Sequence, residues 1–260
     1  MNWVEAIILG LIQGLTEFLP VSSSGHLELG KHFLQIETEQ SLSFTVVVHG
    51  ATVLSTIVVF WKEIRDLFLG FITFKWNNEN KYIVKILVSV IPVGIIGLFF
   101  EEEVKQFFTG NIVFVGAMLL VTATLLSLTY LSKSRGKNIS FLDAFIMGIA
   151  QALAVLPGIS RSGATIATGI MLGNNKKEIA QFSFLMVLIP VIGANLKDIL
   201  SGEFSETSSI GIIVIVVGFI AAFISGLLAC KWMINLVKRG KLITFAIYCT
   251  IIGFLAILLG

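Results

Sequence analysis

Apolar residues run along this chain in long blocks separated by short polar breaks. Six blocks, at roughly 42–61, 82–100, 111–131, 180–200, 208–230 and 242–259, match the length of about 20 residues needed to cross a hydrocarbon core. Each predicts a transmembrane helix, because only closed helical hydrogen bonding satisfies that much backbone in lipid. Two further apolar regions have a different shape. Residues 3–21 run into Ser22-Ser23-Ser24-Gly25-His26, and only the short stretch 27–36 follows before polar sequence resumes. Residues 141–159 run into Ser160-Arg161-Ser162-Gly163 and then a similar short stretch to Gly173. Ten helical residues rise only about 15 Å, half a bilayer. Both regions therefore predict re-entrant helical hairpins, whose irregular tips are tolerated inside protein or beside a water-filled cavity.

The pattern also repeats. Gly10-x-x-Gln13 recurs as Gly148-x-x-Gln151, and Ser24-Gly25 as Ser162-Gly163, all at an offset of 138; Ser43-Phe44 echoes Ser183-Phe184 at 140. Each half reads as one hairpin followed by three spans. Three is odd, so the halves have opposite topology, the inverted-repeat plan that puts a site near the midplane at the repeat interface. The expected fold is an all-α integral membrane protein with six transmembrane helices and two re-entrant hairpins. It forms a single polytopic domain over 1–260, with repeats of about 1–131 and 141–260.

Composition agrees. The chain is 56% hydrophobic and 13% charged, against roughly 25% charged residues in a soluble domain. The polar connection from Trp61 to Tyr82 is too short for a separate soluble domain, and no nucleic-acid partner is expected. The N-terminus lacks a positive n-region and a small-residue cleavage site, so it does not read as a removed signal peptide. The net charge of +2 matters less than its distribution. Lys and Arg crowd the connections 62–81, 132–140, 174–179 and 231–241, while 1–41, 101–110 and 201–207 hold only Lys31 and Lys105. The positive-inside rule makes the first set cytoplasmic, placing both termini and the acidic run Glu101-Glu102-Glu103 outside. Cys230 and Cys249 lack metal-ligand spacing and read as packing thiols.

Ionisable groups at membrane depth are costly and commonly functional. Gln13 and Glu17 share a helix face at i,i+4, and Glu17 suits proton transfer or metal binding. After Pro20, Ser22, Ser23 and Ser24 open a helix, where backbone N–H groups and the helix dipole favour an anion. His26 follows as a candidate base or direct nucleophile. In the second hairpin Arg161 offers a planar fork that matches phosphate, flanked by the hydroxyls of Ser160, Ser162 and Thr165. It also suits an internal ion pair with Glu17 that opens for substrate. Convergence of the tips would join Glu17 and His26 to Arg161. His49, inside an apparent span, either faces the cavity or is a satisfied core histidine, and the absence of a Ser/Gly turn beside it favours the second. Lys85 and Lys197 lie near span ends where they can snorkel, and Asp143 can cap the second hairpin.

The elements Gln13-x-x-x-Glu17, Pro20-Val21-Ser22-Ser23-Ser24-Gly25-His26 and Pro157-Gly158-Ile159-Ser160-Arg161-Ser162-Gly163-Ala164-Thr165, together with Phe182-Ser-Phe-Leu and Phe245-Ala-Ile-Tyr248, closely resemble those of the bacterial undecaprenyl-diphosphate phosphatases, the bacitracin-resistance family. The resemblance implies hydrolysis of undecaprenyl diphosphate to the monophosphate and inorganic phosphate, recycling the lipid carrier for cell-wall synthesis and lowering the pool of the bacitracin target. It implies a divalent cation, Mg²⁺ or Ca²⁺, a polyprenyl diphosphate substrate presented from membrane lipid, and a site opening to the outer side of the cell membrane; a homodimer is left open. The stricter form of the first element carries Glu where this chain has Gln13, which removes one carboxylate from a metal site. Glu17 is then the main protein carboxylate, with diphosphate oxygens completing the metal shell. Ser23 is the first-choice nucleophile, with His26 or Glu17 as base; His26 itself is the second choice and activated water the third, and Ser22 and Ser24 stay open as nucleophiles. Arg161 is the clamp, and Gln13, Ser22, Ser24, Ser160, Ser162 and Thr165 are substrate-binding groups. A polyprenyl-phosphate flippase would share the topology but leave the Ser/His/Glu cluster without a task.

Overall fold

The computed structural model describes residues 1–36, 38–108, 110–132, 135–200 and 211–260. It is all helical, with no strand among the described residues; one isolated bridge pairs Lys137 with Asn174. The helices are α1 (Trp3–Phe18), α2 (Ser23–Leu34), α3 (Thr38–Val59), α4 (Trp61–Phe71), α5 (Asn78–Phe99), α6 (Glu101–Lys105), α7 (Ile112–Leu131), α8 (Phe141–Leu153), α9 (Arg161–Met171), α10 (Lys176–Met186), α11 (Leu188–Leu200), α12 (Ile212–Arg239) and α13 (Ile243–Leu259). Four helical stretches are long and apolar enough to span a membrane: Asn78–Phe99, Ile112–Leu131, Lys176–Lys197 and Ile212–Arg239. A fifth is counted if the bent pair Phe44–Val59 and Trp61–Phe71 is one span. The expected span at 242–259 becomes α13, a shorter apolar helix. The protein is thus a multi-pass helical membrane protein.

Several boundaries differ from the sequence reading for identifiable reasons. The segment expected as a polar connection, 62–81, begins with α4, bent 75° from the helix before it. Trp61, Phe68, Leu69 and Phe71 are exposed on it, beside Lys62, Glu63, Arg65 and Asp66. Exposed aromatic and charged residues side by side are the composition of an interfacial helix. The expected span 180–200 is present as Lys176–Lys197, with a one-residue break in the helix at Val187 between α10 and α11. Pro190 explains the break, since it cannot donate to Met186 O and its ring crowds that carbonyl. The expected span 208–230 starts partly outside the described residues and continues to Arg239, so Lys231, Lys238 and Arg239 ride on α12. The acidic run at 101–103 forms the short helix α6, and Glu101 is ion-paired with Lys197 and with Lys105. Hydrogen bonds first from Lys197 and then from Lys105 hold the Glu101 carboxyl below its ordinary range. The region 201–207 lies outside the described residues.

Packing crosses between the halves. α1 lies along α12 and α8 along α5, while α7 pairs with α13. Gly10 and Gly148, the repeat-related glycines, make this close approach: a Cβ on Gly10 would stand 2.5 Å from Gly218 O, and one on Gly148 2.3 Å from Ser89 O. α2 and α9 both rest on α7, bringing their N-terminal ends together. The core beneath them is aromatic. Phe18 meets Phe184 edge-on at 5.7 Å between ring centroids, and Phe60 stands 6.0 Å from Phe184. Cys230 and Cys249 are fully buried free thiols, as packing roles require.

Candidate active site

The two tips are built alike. Ser22 caps α2 by accepting from Gly25 N–H at 3.3 Å, and Ser160 caps α9 by accepting from Gly163 N–H at 3.0 Å. Each cap has a hydroxyl neighbour two residues on: Ser22 Oγ to Ser24 Oγ and Ser160 Oγ to Ser162 Oγ are both 3.3 Å. Such side-chain acceptors satisfy N–H groups that a helix start leaves open. The tips also lock together. Ser162 Oγ donates to Leu19 O at 3.2 Å, and Cβ atoms on Gly25 and Gly163 would meet Gly158 and Pro20 at 3.1 and 3.3 Å. Gly158 itself has φ +99°, a conformation open to glycine at little cost.

Position 23 in the first tip and position 161 in the second are the first residues of their helices, and both side chains reach Glu17. Ser23 Oγ donates to Glu17 Oε2 at 2.6 Å, Gln13 Nε2 donates to the same oxygen at 3.0 Å, and Arg161 Nη2 pairs with Oε1. The Glu17 and Arg161 side chains are only 11% and 17% exposed, so each charge depends on the other. Arg161 Nη1 and Gln13 Oε1 are buried and have no hydrogen-bond partner among the described residues. Glu17, Ser23, Ser24 and Arg161 line a cavity of about 420 Å³ whose wall is otherwise largely apolar, including Val93, Phe108, Val155, Val187 and Pro190.

The structure therefore brings together Gln13, Glu17, Ser23, Ser24 and Arg161, while Ser22, His26, Ser160, Ser162 and Thr165 stand outside the cavity lining. His26 is not in the cavity lining. Its Nδ1 lies 2.9 Å from Ser22 O and its Nε2 2.8 Å from Tyr248 Oη, with the two rings stacked. The carbonyl requires an N–H on Nδ1, so neutral His26 accepts the Tyr248 hydroxyl through Nε2. Both nitrogens are occupied, and the expected approach of the His26 imidazole to Glu17 and Arg161 does not occur. Ser22 is buried as a cap. Ser160 N–H donates to Thr122 Oγ1 at 2.9 Å, and Thr165 Oγ1 lies 2.6 Å from Ser183 Oγ. The hydroxyls of Ser160, Ser162 and Thr165 thus hold the tip rather than face the cavity.

Further polar side chains line the cavity, among them His49, for which the cavity-facing alternative holds rather than the favoured core position. Its Nδ1 is anchored to Thr45 O at 2.8 Å, which leaves Nε2 as its available atom. Gln151 also lines the cavity; its signal was the repeat itself, since it is the counterpart of Gln13. Elsewhere, Lys85 sits 5.6 Å over the Phe141 ring rather than snorkelling freely. Asp143 completes a capping box with Ser140 at the start of α8 and accepts from Lys137 Nζ at 3.0 Å.

A buried guanidinium–carboxylate–hydroxyl set between two helix starts, in a multi-pass helical bundle, defines a membrane protein equipped to hold an anionic head group at depth. Sequence comparison places it further. The family model for the bacitracin resistance protein BacA matches residues 6–255, and the chain belongs to that family. It is 57% identical to the undecaprenyl-diphosphatase of Bacteroides fragilis, covering all of this chain and 99% of that one. It is 56% identical to that of Parabacteroides distasonis, over 99% and 98% of the two chains. An undecaprenyl-diphosphatase of Halothermothrix orenii is 39% identical over 100% and 99%.

Proposed function

We propose that this protein hydrolyses undecaprenyl diphosphate to undecaprenyl phosphate and inorganic phosphate, and that it thereby recycles the lipid carrier and confers bacitracin resistance. The observation that carries the reading is the Glu17 carboxylate, held between a serine hydroxyl and an arginine inside an apolar-walled cavity. The arginine is the natural partner of a diphosphate, and the Ser23–Glu17 contact is a nucleophile beside its base. A flippase would need the first and have no use for the second.

The crossed packing of α1 on α12 and α8 on α5 supports two inverted repeats, with α1–α2 and α8–α9 as hairpins entering from opposite faces. The Lys and Arg distribution supports termini on the outer side, and the resemblance to the bacitracin-resistance family supports a site that opens there. The polyprenyl tail stays in lipid and the head group enters the cavity. Arg161 turns toward the diphosphate, and this frees Glu17 to accept the Ser23 proton. Ser23 Oγ attacks the terminal phosphorus, the bond to the bridging oxygen breaks, and undecaprenyl phosphate leaves. Such a transition state is stabilised mainly by positioned charge and donors, here Arg161 and the backbone N–H groups at the start of α2. Water then cleaves the phosphoserine. A divalent cation, Mg²⁺ or Ca²⁺, fits this donor set modestly. Glu17 and the unpartnered Oε1 of Gln13 are the protein oxygens that would hold it, and no group of three or more His, Cys, Asp or Glu suited to a metal occurs among the described residues. Bound there, it would supply charge neutralisation on phosphate oxygens.

Phosphate release by purified protein tests the reading. Arg161→Ala should lose roughly 10³-fold in turnover, with Lys recovering charge but not the fork; unchanged release in Arg161→Ala would remove the clamp. A chelator should abolish release, and full activity in its presence would eliminate the cation.

A further inference from the structure

Gln151 is 2% exposed, lines the cavity with Glu17, Ser23 and Arg161, and has neither amide atom hydrogen-bonded among the described residues. Repeat symmetry explains how it comes to be unpaired. Gln13 gives its Nε2 to Glu17 one turn later, but the residue one turn after Gln151 is Val155, and nothing there can accept. Buried polar side chains are nearly always paired, and an exception calls for a reason. An apolar residue of similar shape would fill this place at lower cost. The amide is therefore matched to something that enters the cavity.

Its two ends suit different partners. The NH₂ group donates and suits an anionic phosphoryl oxygen; the carbonyl oxygen is repelled by one and needs a donor. In a hydrolytic site the donor is the attacking water. On the phosphatase reading above, we propose that Gln151 is a further substrate-binding residue that joins the two reactants. Its Nε2 donates to a non-bridging oxygen of the terminal phosphoryl group, and its Oε1 accepts from the water that cleaves the phosphoserine. In that step the water oxygen bonds to phosphorus as the P–Oγ bond of Ser23 breaks. Oγ takes back the proton held by Glu17, and phosphate leaves with both water protons as H₂PO₄⁻, to ionise in solvent. Gln151 itself changes neither charge nor covalent state.

The test uses the full-length protein in detergent and the near-isosteric Gln151→Met. Turnover of undecaprenyl diphosphate should fall by roughly 10- to 100-fold with a raised KM, the range for losing hydrogen bonds to a charged group. Direct calorimetric binding of inorganic phosphate should weaken as well. The thermal midpoint should stay the same or rise, because the substitution removes an unpaired buried amide. A structural role predicts the reverse coupling, with activity lost in step with stability. Gln151→Glu keeps an acceptor for water but sets a negative charge against phosphate, so it should bind inorganic phosphate more weakly than Gln151→Met. Wild-type turnover, KM and phosphate affinity in Gln151→Met would overturn the assignment, as would a fall in activity that tracks a fall in thermal midpoint. The phosphatase reading fails by a different result, namely no phosphate release by the wild type; the inorganic-phosphate arm still reads Gln151 in that event.

Discussion

The tips at 22–26 and 160–164 are the same scaffold carrying different cargo. Both have a serine cap, a second serine 3.3 Å away through its hydroxyl, and a glycine whose N–H is capped. At the first helical position one tip carries Ser23 and the other Arg161, and both reach Glu17. A similar frame thus produces an asymmetric site: the hydroxyl we propose as nucleophile comes from one tip and the cation from the other, and the carboxylate between them has only Val155 at the matching offset of 138. On the proposed mechanism the nucleophile and the charged groups lie where the tips differ, and the serine caps and glycines that the tips share hold them in place.

That division can be broken by experiment. The largest effect should follow Ser23→Ala, which removes the attacking oxygen but leaves the Ser22 and Ser24 contacts in place. Phosphate release should fall by at least about 10³-fold with the thermal midpoint nearly unchanged; near-normal turnover would eliminate Ser23 as nucleophile. Ser160→Ala acts on the frame instead. It leaves Gly163 N–H uncapped in a buried tip, which costs about 1 kcal/mol of stability. Denaturation in detergent should show the loss, while turnover falls less than tenfold. A Ser160→Ala protein as inactive as Ser23→Ala, yet stable, would put Ser160 among the groups that touch substrate and dissolve the distinction.

Much of this arrangement was legible in the sequence. Length and hydropathy mark the long helices, since each needs enough apolar residues to cross lipid. The offset of 138 pairs the two tips in the sequence itself. Glu17 and Arg161 stood out because charge at that depth demands a partner. What sequence could not give was direction. His26 follows three serines and looks like their base, but its helical position turns it toward Tyr248, 222 residues away. His49 lies in an apolar span with no polar neighbour in sequence to mark it, and only the packing of α3 beside α1 and α11 brings it to the cavity. The bend before α4 has no such local sign, whereas Pro190 marks the break before α11.

The smallest expected effect sharpens the comparison most. Ser22 has φ 71° and ψ 98°, whereas its counterpart Ser160 has φ −72° and ψ 115°. A non-glycine residue held at such positive φ costs on the order of 1–3 kcal/mol, so of the two tips only the first is strained. Glycine adopts that φ freely but brings a larger unfolded-state entropy of about 0.5–1 kcal/mol, and it replaces a serine cap at a loss of a few tenths. Ser22→Gly should therefore be neutral or slightly stabilising, within about 1 kcal/mol. Ser160→Gly has no strain to release and should only destabilise. If the strain fixes the direction of Ser23, Ser22→Gly should also lower turnover several-fold while thermal stability holds, because Oγ is then less well aimed at phosphorus. Equal destabilisation by the two substitutions, measured as thermal midpoints in the same detergent, would mean that the unusual backbone at Ser22 carries no cost. The two tips would then differ in their side chains alone.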